Sequence, residues 1–184
     1  MKLQTFRLLP VLVGLASAVP APLPQSFPSG PNIVQPTTIS QYNVWTGAID
    51  YDTASGKIFK NGISPDITTL VTFELPAASQ GLTCAFNFYE PSTPGGSGLI
   101  DVFTSLQPAT GSTTSWPPGN QRNQDVGRLD AQSPGNAIWV AGFPNTVQSF
   151  PCPTGTWAIE LVGVYDVDDI EWAEPNEGPY LQYS

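Results

Sequence analysis

The sequence predicts an all-β protein, built as a single antiparallel β-sandwich domain with one disulfide. Three observations predict it. Short apolar or alternating runs recur at roughly ten-residue spacing, as in a double layer of antiparallel strands. The segments between them are rich in Gly, Pro, Asn and Ser. No useful window shows a 3.6-residue apolar period, so little helix is expected.

The chain opens MKLQTFRLLPVLVGLASA. Lys2 and Arg7 give a positive start, Leu8 to Ala16 an apolar run, and Ala16-Ser17-Ala18 a small-residue cleavage site. Residues 1–18 are therefore expected to be a secretory signal peptide, too short for a membrane span. Prolines at 20, 22, 24, 28, 31 and 36 follow. Each fixes φ and removes a backbone donor, so residues 19–40 read as an extended leader or linker rather than part of a core.

Residues 41–184 then carry the sandwich, jelly-roll or Ig-like. Its expected strands are 42–51, 57–59, 70–75, 82–89, 99–106, 126–131, 137–143, 147–152 and 156–167. Leu82, Cys84, Phe86 and Phe88 share one face of their strand, as do Val71, Phe73 and Leu75 of theirs. About 145 residues suffice for one core.

The whole chain holds 6 basic and 15 acidic residues, a formal −9. Removing the signal peptide takes two basic residues and leaves 4 − 15 = −11. That charge disfavours nucleic acid and anionic lipid as partners, and no membrane insertion is expected. Histidine is absent, which excludes Ser-His-Asp and Cys-His nucleophile systems and His-ligated zinc. Cys84 and Cys152 are the two cysteines. In an oxidising compartment the economical reading is one disulfide, and a loop of about 70 residues gives it roughly 4 kcal/mol on the chain-entropy account.

The acidic stretch VYDVDDIEW, 164–172, has two readings. In the first, a β-bulge at Asp168-Asp169 keeps the apolar set inward and leaves the acids facing water. In the second, Asp166, Asp168 and Asp169 supply three oxygens to Ca²⁺. The calcium-loop pattern fails at Ile170 and Glu171. The strand face is thus the expectation, and no cofactor is expected beyond this one candidate ion. YDTASG, 51–56, reads as a hairpin turn, because Ala54 stands where an Asp-Thr-Gly protease loop needs glycine. PGGSG, 94–98, reads as a hairpin connection rather than a phosphate loop. Trp116, in the turn-rich TTSWPPGN, either folds back over a core edge, which is the expectation, or stacks on a sugar or a partner protein.

Taken in order, LVTFELP, GLTCAFNFYEP, SGLIDVFTSL, VGRLDA and SFPCPTGTWAIELVGV resemble the fungal But-two C-terminal domain family over roughly residues 70–172. The resemblance implies a secreted or surface-associated fungal protein with a β-rich domain, and Cys84–Cys152 as its bridge. It supplies no catalytic residues. The expected function is a non-enzymatic extracellular or cell-wall binding module whose partner is a cell-wall glycan or an extracellular protein. The main alternative is an acid hydrolase using a carboxylate pair, a glycosidase or a His-independent acid protease. A calcium-stabilised structural protein is the third.

Overall fold

A computed structural model describes residues 26–132 and 134–184. The expected signal peptide, 1–18, and the start of the expected leader lie outside these residues. The strands are β1 Ile33–Val34, β2 Thr38–Asn43, β3 Ile49–Asp50, β4 Ser55–Lys60, β5 Ile67–Leu75, β6 Thr83–Glu90, β7 Gly95–Gly96 and β8 Leu99–Ser105. They continue with β9 Arg122–Asp130, β10 Gly135–Asn136, β11 Ile138–Trp139, β12 Phe150–Pro151, β13 Gly155–Gly163, β14 Asp168–Ala173 and β15 Gly178–Tyr183. One 3₁₀ turn, Ala77–Ser79, is the only helical element among the described residues.

These strands form two curled antiparallel sheets. The smaller runs β1-β15-β6-β10, with β12 also on β6. The larger runs β11-β9-β8-β13-β5-β4-β14-β7, and β5 also pairs β2, which carries β3. The two inner faces close on one core because the period-2 pattern sends Phe73, Ile159, Leu161 and Val102 from one sheet toward Phe86, Phe88 and Leu181 of the other. Phe73 meets Phe86 edge-on at 6.3 Å, and Phe88 meets Trp172 at 5.0 Å. The bridge joins Cys84 of β6 to Cys152 just beyond β12, with Cα atoms 4.9 Å apart. No helix among the described residues is long and apolar enough to cross a membrane.

Four sequence expectations are corrected. The leader does not stay outside the core as far as residue 40: Ile33 and Val34 pair with Gln182 and Leu181, and Val34 and Ile39 are buried. The 42–51 run is no continuous strand, because residues 44–48 turn between β2 and β3. The 156–167 strand stops at Gly163, and Tyr165 takes φ +65° in a turn that leaves it and Val167 exposed. There is accordingly no bulge at Asp168-Asp169 but a fresh strand, β14, after which Gly178–Tyr183 form β15. Pro179 is tolerated there because β1 pairs β15 only at residues 181 and 182.

Strand β14 alternates strictly, with Asp168, Ile170 and Trp172 buried and Asp169, Glu171 and Ala173 exposed. The Trp172 indole lies between two glycines. A Cβ at Gly56 would stand 2.0 Å from its ring, and one at Gly178 would stand 2.1 Å away. Gly56→Ala should therefore destabilise the fold by about 2 kcal/mol through overpacking. That corresponds to roughly 5 °C in melting temperature, with the near-ultraviolet tryptophan dichroism altered. A melting point within a degree of the parent would show that the Trp172 indole can shift off Gly56 at no cost.

Candidate functional site

The exposed corner of the larger sheet is made by two segments stitched together. In the β2–β3 turn, the Asn43 side-chain oxygen accepts the N–H groups of Trp45 and Thr46 at 3.1 and 3.0 Å, and Gly47 N–H donates to Asn43 O at 2.8 Å. An Asn before such a turn folds the backbone locally by this side-chain capture. The second segment, 106–121, is closed at its base by Leu106 N–H donating to Gln121 O. It lies against the turn through Trp116 N–H to Gly47 O, 2.7 Å, and Ile49 N–H to Thr114 O, 2.9 Å. Beneath the junction Ile49, Leu70 and Ala109 form a small second core with Tyr42. Gly47 has φ +74°, and a Cβ there would press at 3.3 Å on that of Trp116. The glycine therefore serves both the turn and the close approach.

This scaffold presents two indoles to solvent, Trp45 and Trp116, each 59% exposed, with Val44 beside them at 40%. Trp116 does not fold back over the core edge. Trp45 went unnoticed in the sequence because the 42–51 run reads as a strand, where a tryptophan has an inward face available. The signal that could have revealed it is the triplet Trp45-Thr46-Gly47, an aromatic directly before a turn pair. Chemically the corner offers planar apolar rings with polar edges.

The carboxylates are not uniformly wet. Glu160 is fully buried on the outer face of β13. It takes both arms of Arg122 at 2.8 Å and the Thr68 hydroxyl at 2.7 Å, so its charge is matched. The guanidinium also covers the Phe103 ring at 4.6 Å. Asp168, expected outside, is fully buried. Its Oδ1 accepts the Ser97 hydroxyl at 2.7 Å and Gly98 N–H at 3.0 Å, while Oδ2 has no partner. Burial pushes its carboxyl up, and those hydrogen bonds only temper the rise. Glu90 is likewise raised by burial, with Ser92 tempering the shift and Glu177 adding to it.

The calcium trio is not gathered. Asp166 sits in the exposed turn, and Asp168 and Asp169 leave β14 on opposite faces. Among the described residues no group of three or more His, Cys, Asp or Glu is placed to hold a metal.

Glu174 differs from Glu90, Glu160 and Asp168 because it borders a cleft of about 240 Å³, shared with Asp52, Thr53, Gln35 and Thr37. Burial raises its carboxyl to about 7, tempered by the nearby Trp172 indole N–H, which closes no hydrogen bond of good geometry. An acid so placed can hold a proton near neutrality. Asp52, across the cleft, is exposed, with φ +55° and its N–H donating to Ser40 Oγ at 3.2 Å.

Residues 48–177 match the family model described as the ubiquitin 3 binding protein But2 C-terminal domain. A search of the curated proteins finds no match. The family span thus reaches from the end of the exposed β2–β3 turn through the 106–121 segment to the Glu174 turn, beyond the 70–172 stretch whose motifs suggested it.

Proposed function

The chain belongs to the But2 C-terminal domain family, and from that premise we propose that it works outside a fungal cell as a non-enzymatic binding module, with the Trp45–Trp116 corner seated on a cell-wall glycan. The observation that carries the reading is the pair of solvent-facing indoles on backbone-locked neighbouring turns. A fixed aromatic surface loses little side-chain freedom on binding, and sugar rings present flat apolar faces to it. The signal-like start and the disulfide support an oxidising, extracellular setting. The family's description, which names a binding protein, supports attachment rather than chemistry. Carboxylate hydrolysis has one foothold, Glu174 with Asp52, but Asp52 stands open to solvent. One solvent-exposed carboxyl opposite one half-buried carboxyl is no converging catalytic pair, so binding is the better reading.

The test is retention of the mature protein on wall polysaccharides at pH 4 to 6. Trp45→Ala and Trp116→Ala should each weaken retention about fivefold, the equivalent of roughly 1 kcal/mol per stacked ring, with melting temperature unchanged. Retention that survives both substitutions would dismiss the corner. Retention by an extracellular protein and by no polysaccharide would replace the glycan with a protein partner.

A further inference from the structure

A second recess adjoins the Glu174 cleft. It has a volume of about 340 Å³ and is bordered by Phe27, Ser29, Ile33 and Asn176, and the two recesses meet at Gln35. Both lie between the leader segment, 27–39, and the β14–β15 turn, 174–176, and form a groove divided by Gln35. Both walls are held. Phe27 packs edge-on against Tyr89 and Tyr180 at 5.9 and 5.3 Å. Gln35 Nε2 donates to Pro175 O at 2.8 Å, Glu174 N–H donates to Ala54 O, and Thr37 N–H donates to Thr72 O. The sequence assigned this leader no partner, yet it forms one side of a built recess whose size falls in the range of small-ligand sites.

The groove's chemistry is one-sided. It offers one aromatic ring, side-chain amides at Gln35 and Asn176, hydroxyls at Thr37, Thr38 and Thr53, and carboxyls at Asp52 and Glu174. Among the described residues no lysine or arginine borders it. Lys57, on the exposed side of β4, is already taken by Glu171 at 3.3 Å. An anionic ligand would therefore meet two carboxyls with nothing to match its charge. A ligand carrying ammonium groups would supply the countercharge that Glu174 lacks, and the amides and hydroxyls suit the remaining donors and acceptors of a sugar.

We propose that the groove between the leader and the 174–176 turn binds an oligosaccharide with free primary amines, Asp52 and Glu174 taking its ammonium groups and Phe27 lying along the face of one ring. This site is separate from the tryptophan corner and does not depend on it.

The experiment is calorimetric titration of the mature protein at pH 7 with two probes, a glucosamine pentamer and its fully N-acetylated counterpart, which keeps the sugar but not the charge. The glucosamine pentamer is expected to bind at least tenfold more tightly. The double variant Asp52→Asn with Glu174→Gln should lose at least tenfold for it, and Trp45→Ala with Trp116→Ala should lose nothing. Glu174→Gln copies the shape of the protonated acid, so folding is preserved, and a melting temperature at pH 7 no lower than the parent's verifies this. Equal affinity for the two pentamers, full binding by the carboxyl variant, or loss confined to the tryptophan variant would each overturn the assignment. So would a lysine-bearing peptide that matches the glucosamine pentamer and is lost with the same carboxyl substitutions.

Discussion

Replacing both Cys84 and Cys152 with alanine is expected to lower stability by about 4 kcal/mol, which for a domain of this size is roughly 10 °C in melting temperature. The bridge spans 68 residues, so without it the unfolded chain regains the freedom of a long loop. The folded state loses something specific as well. Strand β12 has two residues, pairs with β6 only at Phe150 and Pro151, and is followed by Cys152 N–H donating to Leu82 O at 3.0 Å. Little besides the Phe150–Trp157 ring contact, at 5.3 Å, would keep it there. Amide exchange should therefore quicken first around residues 147–152 and at Phe86, whose N–H donates to Val147 O. A variant that melts within 2 °C of the parent would show that sheet pairing alone fixes this edge.

Stability should be highest in mild acid and fall as the solution approaches neutrality. Glu90, Asp168 and Glu174 are all raised by burial, and a cation lowers none of them. A carboxyl whose folded pKa lies above its unfolded value binds its proton more tightly when folded. The stability it contributes is thus fully present below the unfolded value and is lost as pH climbs through the folded one. For Glu174 the window runs from 4.5 to about 7. A shift of that size has a ceiling of about 3 kcal/mol, and partial solvent access reduces it to about 1–2 kcal/mol. Glu90 and Asp168 add to the same slope. Melting curves from pH 4 to 8 should therefore descend, and Glu174→Gln should flatten the descent between pH 5 and 7. A flat or rising profile for the parent would contradict the burial argument for all three acids.

How much of this was legible depended on how local the cause was. The alternation of Cys84, Phe86 and Phe88, and of Val71, Phe73 and Leu75, placed those side chains inward because pleat geometry acts residue by residue. The two cysteines and the missing histidines delimited the covalent frame and the available chemistry before any fold was known. Glu160 could not be read this way. Its outward parity is correct, but only the folded sheet brings Arg122 across from β9 and Thr68 from β5 to make its burial tolerable. Asp168 was misplaced because a turn at 164–167 resets strand parity, and a single sequence does not distinguish a bulge from a turn.

The sequence by itself determined an all-β class, the frame of one bridge, and the inward placement of Phe73, Phe86 and Phe88, since these follow from composition and a period of two. Tertiary structure alone decided which tryptophans face solvent, which acids are hidden, and that the proline-rich leader becomes the wall of a groove. Those outcomes depend on which distant strands and turns meet, and strand pairing across a hundred residues leaves no local signature in the chain.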